Sequence, residues 1–470
     1  MLEKAVLTKY GFTYMKNKKN TMLKGAFTLS VGAFVSKLLG ALYRIPLTNL
    51  IGGYGLGLYQ MVFPIYTLLL DFSGAGIPNA LAKIISSKKN DVRENLAYNY
   101  LLTSVKVLCV LGAFFSVLMA VFSFPIAKLQ GNHNAYYSYI TLSPSVFLVC
   151  IISCFRGYFQ GLMKMTPTAV SQIVEQVVKL IFGLLLSKLF INNLPFAVAG
   201  ATLAITLSEL FALILLYAFY IKHKNKCAQI LSYDRTEFKN RVKSILKTAV
   251  PITLIGISLP LSHVFDSFIV VNILKKYRND ATTLFGLLSG VTCTVINLPV
   301  SICYSIATVS IPYISSEKNL EIINKKTLKA ILLTIALSLP NVLICFFFPK
   351  LIVRILFSGL KEIEKTTSIR LIKLASINVF LLSLLQTTNA ILIGRNKLYS
   401  PVLSMTIGIV VKLILSILLI SNSKLNVFGG VIALIACYFV ACLINLLLIN
   451  KKGKQNANQT NTNRGYANTQ

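Results

Sequence analysis

Long apolar runs separated by short polar stretches dominate the hydropathy pattern of this chain. A run of about 20 apolar residues is long enough for a helix to cross the hydrocarbon core of a bilayer. None of the runs shows the strict alternation of apolar and polar positions that is typical of membrane β-strands. The pattern therefore predicts twelve membrane-spanning helices, at approximately 22–45, 58–84, 98–124, 136–158, 167–189, 196–220, 246–273, 283–310, 327–349, 367–393, 400–421 and 427–449.

The composition agrees with a membrane protein and excludes several other classes. Of the 470 residues, 55% are hydrophobic and 13% are charged, whereas an ordinary soluble domain carries about 25% charged residues. The 47 Lys and Arg against 14 Asp and Glu would suit a nucleic-acid-binding protein, but such a protein would lack the apolar runs, so no nucleic-acid partner is expected. The nine cysteines form no CxxC pair, which favours packing in the membrane over a metal site or a disulfide scaffold.

The distribution of Lys and Arg predicts the orientation of the spans. Most of these residues fall in segments on the same side as the N-terminus, and positively charged loops stay in the cytoplasm. Both termini are therefore predicted to be cytoplasmic. The leader runs straight into a full-length span, so no cleaved signal peptide is expected. The expected units are a basic leader at 1–21, a six-helix bundle at 22–220, a cytoplasmic linker at 221–245, a second six-helix bundle at 246–450 and a disordered tail at 451–470.

The two halves of the chain share residues at a nearly constant offset of 233 to 235 positions. The matched pairs are Pro64 with Pro299, Pro78 with Pro312, Lys164 with Lys397, Pro167 with Pro401 and Lys179 with Lys412. An even number of spans in each half makes these parallel repeats about an axis along the membrane normal. The predicted fold is an all-α polytopic membrane protein, with two six-helix bundles around a central cavity.

Five stretches carry a resemblance to a known family. They read SKLLGALYRIPLTNLIGGYGLGLYQ (36–60), AGIPNALAKIIS (75–86), FRGYFQGLMKMTPTAVSQIVEQVVK (155–179), LSHVFDSFIVVNIL (261–274) and ATTLFGLLSG (281–290). With these stretches the chain resembles the multidrug/oligosaccharidyl-lipid/polysaccharide (MOP) exporter superfamily, and within it the branch of stage V sporulation protein B and the lipid II flippases. Asp71 departs from the family pattern, in which a small or apolar residue is expected.

The resemblance implies a flippase of the bacterial cytoplasmic membrane. Its substrate would be a polyprenyl-diphosphate-linked saccharide, such as a lipid II-like or polysaccharide precursor, carried across the membrane by alternating access. Such a protein would serve cell-envelope or spore-cortex synthesis, with membrane lipids and envelope-synthesis enzymes as further partners. No cofactor is expected, and the identity of a coupling cation, Na⁺ or H⁺, stays open.

Charged residues inside the predicted spans are the first candidates for a site, because a charge at the centre of a span costs about 3 kcal/mol unless it faces a cavity or a partner. Lys179 and Lys412 occupy equivalent positions of the repeat, and two cations facing one cavity suit a diphosphate; alternatively, each lysine snorkels or pairs with a neighbouring helix. Glu175 precedes Lys179 by four residues, the favourable order for an ion pair. The position equivalent to Glu175 is Gly408, so we expect Lys412 to be the free anion-binding cation.

Four further basic residues are candidates for contacts with an anionic substrate. Lys37 and Arg44 lie seven residues apart in the first span, on one helix face, and the resemblance implies that both line the cavity. Arg44 could instead mark the end of the span. Arg156 and Arg395 lie near the predicted cytoplasmic mouth, where they would steer an anionic headgroup inward or simply follow the positive-inside rule.

Acidic residues inside the spans leave other functions open. His263 and Asp266 lie three residues apart, which predicts either an ion-coupling site or, more readily, a structural pair. With Asp71 and Glu209 they would suit a cation-coupled multidrug antiporter, although the mid-span lysines argue against it. A non-transporting scaffold for envelope synthesis is a third alternative. The sequence contains no Walker loop, HExxH motif or nucleophile elbow, so we do not predict an enzyme.

Overall fold

The computed structural model describes residues 2–72, 76–86, 90–223, 235–315, 317, 319–395, 397 and 399–450. Within these ranges the chain consists of helices and short connections, without a β-strand. The predicted tail at 451–470 and residues 224–234 of the predicted linker lie outside the described residues. The α-helices of the described ranges are α1 (Leu2–Leu70), α2 (Gly76–Ser86), α3 (Asn90–Val121), α4 (Ser123–Leu129), α5 (Tyr136–Gly161), α6 (Thr166–Leu189), α7 (Leu194–His223), α8 (Arg235–Gly256), α9 (Ser258–Lys275), α10 (Ala281–Phe285), α11 (Cys293–Ser315), α12 (Leu320–Phe347), α13 (Pro349–Leu356), α14 (Glu362–Ala375), α15 (Ile377–Gly394), α16 (Ser400–Ser421) and α17 (Phe428–Asn450).

Nine helical segments in the described part of the chain are long and apolar enough to cross a membrane, and each coincides with one predicted span. They are Leu96–Val121, His133–Gly161, Thr166–Leu189, Leu194–His223, Ala281–Ser315, Glu321–Phe347, Ile377–Gly394, Ser400–Ser421 and Phe428–Asn450. The other three predicted spans fall on α1, on the end of α1 together with α2, and on α8 together with α9. The predicted all-α membrane fold is confirmed, whereas the total of twelve spans and the internal repeat stay predictions.

Helix α1 consists of two segments that meet at Gly52. Gly52 has φ 67° and ψ −174°, a conformation that glycine adopts without the steric cost of a side chain. The segment before Gly52 packs against α6, where a Cβ on Gly32 would lie 2.7 Å from the Cβ of Ala169. The segment after it packs against the second half, where a Cβ on Gly57 would lie 2.0 Å from the carbonyl oxygen of Thr282. Helix α1 therefore makes close contacts with both halves.

Hydrogen bonds also join the two halves near Gly52. The side chain of Asn49 donates to the carbonyl oxygen of Leu356 at 2.9 Å and accepts from the backbone N–H of Gly359 at 3.2 Å. The backbone N–H of Gly53 donates to Glu364 Oε2 at 3.4 Å. These contacts lie between the two parts of α1 that line the cavities described below.

Helix α8 begins within the predicted linker, so residues 235–245 are helical, and it packs against helices of the first half. Ile245 of α8 is buried in one hydrophobic cluster with Ile77 and Leu81 of α2. Arg241 Nε donates to Thr103 Oγ1 of α3 at 3.2 Å. The hydrophobic core around α2 and α3 is thus completed by a helix from the second half of the sequence.

A π-helical turn, Gly286–Thr292, lies between α10 and α11. Thr292 Oγ1 donates to the carbonyl oxygen of Leu287 five residues earlier, at 2.9 Å. The carbonyl oxygen of Ser289 accepts from Gln60 Nε2 of α1 at 2.7 Å. Such turns leave backbone groups available outside the helical pattern and are frequent at functional sites. Here the turn connects α1 to the start of α11.

Candidate functional site

Two adjoining cavities lie between α1 and helices of both halves. The larger compartment has a volume of about 600 Å³ and is lined by residues of α1, α9, α11 and α14 to α17. The smaller compartment has a volume of about 360 Å³ and is lined by residues of α1, α6 and α11. Both linings include Arg44, Phe63 and Asn297. The two compartments therefore form one site of a size typical for a small ligand or headgroup.

Arg44 lies at the junction of the two compartments. Its guanidinium carbon lies 5.7 Å from the centroid of the Phe63 ring, a contact that holds the side chain without using its N–H donors. Among the described residues no side chain forms a salt bridge with it. Its planar fork of donors is therefore available to two oxygens of one phosphate. The side chain of Lys37 lies outside the described residues.

Lys179 lines the smaller compartment and has no counter-ion among the described residues. Its ammonium nitrogen lies 5.7 Å from the centroid of the Tyr43 ring. No described acidic side chain belongs to the lining of this compartment. Arg44 and Lys179 therefore give the smaller compartment a net positive charge.

The expected ion pair between Glu175 and Lys179 is wrong. Glu175 Oε2 accepts from Arg156 Nη2 at 2.9 Å, and Glu175 Oε1 accepts from Gln176 Nε2 at 3.0 Å. Arg156 reaches across from α5 and also donates to Ser171 Oγ at 3.1 Å. The interhelical bonds prevail because an ion pair along one helix contributes only about 0.3–0.5 kcal/mol. Arg156 lines neither compartment and fixes α5 to α6.

The expectation that Lys412 is a free cation is also wrong. Its ammonium group donates to Asp266 Oδ2 at 2.7 Å and to Ser262 Oγ, and only 3% of its side chain is exposed. Asp266 lies on α9, 146 positions earlier in the chain, so no local spacing points to it. A charge buried in a membrane protein usually pairs with another. Lys412 therefore lines the larger compartment as one half of a neutral pair.

His263 and Asp71 both line the larger compartment. His263 Nδ1 lies 3.8 Å from Asp266 Oδ2, which is beyond hydrogen-bond distance. About half of the His263 side chain, 53%, is exposed. The principal partner of Asp266 is thus Lys412 and not the histidine one turn away. Asp71 lies just beyond the end of α1 and forms no ion pair with a described residue.

Arg395 lies away from both compartments and connects three helices. It donates to the carbonyl oxygen of Ile449 at 2.9 Å, to Asn324 Oδ1 at 2.9 Å and to Thr327 Oγ1 at 2.8 Å. The two terminal nitrogens of Arg395, like Nε and Nη2 of Arg156, donate in contacts between helices. These bonds give both arginines a structural role, and the steering of an anionic headgroup stays a prediction.

Three amide side chains of the larger compartment are not among the predicted site residues, because the prediction considered charged residues. Asn297 is exposed near the start of α11, and Asn378 and Gln386 lie on α15. An uncharged polar residue inside an apolar run is the signal that would have found them, because polar groups in spans usually face a partner or a cavity. These amides add hydrogen-bonding capacity to the site without adding charge.

Residues 22–318, more than half of the chain, match the family model described as polysaccharide biosynthesis protein. The chain belongs to this family. Lipid II flippase MurJ of Bacillus subtilis (strain 168) is 27% identical over 461 residues, which cover 92% of this chain and 82% of that protein. Stage V sporulation protein B of the same organism is 27% identical over 453 residues, which cover 92% of this chain and 84% of that protein.

The fold of this polysaccharide biosynthesis protein is similar to that of a solved transporter. That structure is the inward-facing conformation of a multidrug resistance MATE family transporter of the MOP superfamily, with a TM-score of 0.74 and 16% sequence identity. The similarity covers 90% of this chain and 97% of the solved one. The predicted resemblance to polysaccharide biosynthesis proteins is confirmed by the family match, and the fold is that of a solved MOP superfamily transporter. The chain is a multi-span membrane protein of this family.

Proposed function

We propose that this protein is a flippase that carries a polyprenyl-diphosphate-linked saccharide across the bacterial cytoplasmic membrane. The observation that carries the proposal is the smaller compartment, in which Arg44 and Lys179 lie without a described counter-ion. Two unpaired cations in a cavity without a described acidic side chain suit a ligand with two or more negative charges. The arginine binds two oxygens at once and the lysine acts as a point charge.

Two further observations support a lipid-linked saccharide as the cargo. Relatives that share most of their length with this chain include a protein named as a lipid II flippase and a sporulation protein. The site adjoins a larger compartment with uncharged polar groups, which leaves room for a headgroup beyond the diphosphate. The product would enter cell-envelope or spore-cortex synthesis. The coupling cation that we propose for the cycle is Na⁺ or H⁺.

A cation-coupled multidrug antiporter is the second candidate, and one observation favours it. Asp71 in the larger compartment has no described ion-pair partner, and an unpaired acid attracts a cationic drug. The free cations Arg44 and Lys179 oppose such a ligand, because like charges repel it within the same site. A scaffold without transport would need neither feature.

The binding test compares two lysines on α6. In Lys179→Ala, we expect the affinity for undecaprenyl diphosphate to fall about tenfold, because a charge-assisted contact contributes about 1.5 kcal/mol or more. Native mass spectrometry of the detergent-solubilised protein measures the dissociation constant. The matched control is Lys188→Ala, since Lys188 is exposed near the end of the same helix and lines neither compartment. An equal effect of the two substitutions would remove Lys179 from the site.

The proposed orientation places both termini in the cytoplasm. Cys227 lies in the predicted linker, and Gly453→Cys adds a thiol to the predicted tail. We expect a membrane-impermeant thiol reagent to label both positions only after the membrane is opened. The eight described cysteines are buried or half-buried, and a Cys227→Ser variant measures their background. Labelling of either position in intact cells would contradict the orientation.

A further inference from the structure

We propose that the larger compartment binds the saccharide of the cargo and that Asn297 contacts the first sugar after the diphosphate. This inference rests on the proposed function, in which Arg44 and Lys179 hold the diphosphate in the smaller compartment.

The two compartments differ in charge, so a diphosphate and a sugar are expected to occupy different compartments. The smaller compartment contains Arg44 and Lys179 and no described acid. The larger compartment also includes Lys412, but Asp266 neutralises it at 2.7 Å. Asp71 offsets the remaining charge of Arg44. An anion therefore binds more favourably in the smaller compartment. The larger compartment, with its charges balanced, can accept a neutral polyhydroxyl group.

Asn297 lies where a sugar attached to the diphosphate would begin. Its side chain is exposed, although it lies in the middle of a predicted span, and it lines both compartments beside Arg44. It forms no hydrogen bond with a described residue. A side-chain amide offers two N–H donors and a carbonyl acceptor. A sugar hydroxyl group both donates and accepts, so it can bond to either part of the amide. A polar residue at this depth is expected to serve a ligand or a partner.

Helix α15 supplies a second polar face to the larger compartment. Asn378, Leu382 and Gln386 follow one another at intervals of four residues, so they share one face of the helix, and all three line the compartment. Asn378 Oδ1 and Gln386 Oε1 are buried and accept no hydrogen bond from a described residue. A buried acceptor without a donor destabilises the protein. A rotation of either amide toward the compartment would let it bond to sugar hydroxyls.

The test uses two lipids that differ in the saccharide. Undecaprenyl diphosphate carries no sugar, and lipid II carries one on the same diphosphate. We expect the wild-type protein to bind lipid II more tightly. In Asn297→Leu, the affinity for lipid II should fall about fivefold, as for the loss of one or two neutral hydrogen bonds. The affinity for undecaprenyl diphosphate should fall less than the affinity for lipid II.

A second variant separates recognition from stability. The double substitution Asn378→Leu, Gln386→Met removes two buried acceptors without a donor, so the melting temperature should rise. If these amides also bind the sugar, the preference for lipid II over undecaprenyl diphosphate should fall several-fold in the same variant. A higher melting temperature with an unchanged preference would show a purely structural role and overturn this part of the proposal.

The control is Asn341→Leu, which removes an amide of α12 that donates to the carbonyl oxygen of Leu337 at 2.8 Å and lines neither compartment. It should change neither affinity.

Three results would overturn the saccharide subsite. The first is equal affinity of the wild-type protein for both lipids, and the second is an equal loss of affinity for both lipids in Asn297→Leu. The third is that tetraphenylphosphonium competes with lipid II in the wild type but not in Asp71→Asn. Failure of the proposed function would give a different result from failure of the saccharide subsite, because undecaprenyl diphosphate would then bind Lys179→Ala and the wild type with equal affinity.

Discussion

Lys412→Ala should lower the free energy of unfolding by about 3–5 kcal/mol, because it leaves the Asp266 carboxylate buried without its counter-ion. The ammonium group of Lys412 is the closest cation to Asp266, at 2.7 Å, and it is almost fully buried. Thermal and chemical unfolding in detergent micelles measures the loss. Lys179→Ala is the matched control, since it removes an unpaired lysine at the equivalent position of the predicted repeat and should change stability little.

The double substitution Lys412→Met, Asp266→Leu distinguishes charge pairing from packing. Replacing both members of a buried pair by apolar groups of similar size is often neutral or stabilising. We therefore expect the double variant to recover most of the stability that Lys412→Ala loses. A stable Lys412→Ala protein that no longer binds undecaprenyl diphosphate would show instead that Lys412 contacts the cargo.

Arg44→Ala should abolish complementation of a bacterial strain that lacks its own lipid II flippase. The affinity for undecaprenyl diphosphate should fall up to a hundredfold, since two charge-assisted hydrogen bonds of about 1.5 kcal/mol each are lost. Arg44→Lys should recover only part of the affinity, because an ammonium group cannot bind two oxygens in fork geometry. Plate growth and native mass spectrometry provide the two measurements.

The control for Arg44 is an arginine that pairs outside the cavity. Arg278 bonds to Asp280 at 2.8 Å, and both side chains are exposed, so the pair contributes about 0–1 kcal/mol to stability. Arg278→Ala should complement like the wild type. Protein levels in the membrane must match for every variant. Normal growth with Arg44→Ala would exclude Arg44 from substrate binding.

The sequence predicts the spans well because hydropathy is a local property. Nine described segments match nine predicted spans. Gly52, where φ is positive, lies between the first two predicted spans. A break within the seventh predicted span lies between α8 and α9, where the chain carries a proline nearby at Pro260. Local residues determine these features, so no knowledge of the helix packing is required.

The ion pairs could not be predicted because their partners come from other helices. Spacing along one helix suggests a bond between Glu175 and Lys179, but Arg156 of α5 lies closer to the carboxylate. Spacing along one helix likewise predicts that Lys412 is unpaired, although it forms an ion pair with Asp266 of α9. Lys179, which was predicted to be paired, therefore has no described counter-ion, whereas Lys412, which was predicted to be free, is paired. Only the packing of α5, α6, α9 and α16 determines which cation is available to a substrate.

The position of α8 bears on how this protein is assembled during synthesis. Proteins fold from the N-terminus as the ribosome proceeds, so α2 and α3 enter the bilayer before α8 exists. Until Ile245 and its neighbours arrive, the surface around Leu81 lacks part of its hydrophobic core. The N-terminal segments must therefore wait in the membrane as a partly packed intermediate. A chain truncated after α7 should be a target for membrane proteases, and co-expression of the missing C-terminal fragment should protect it.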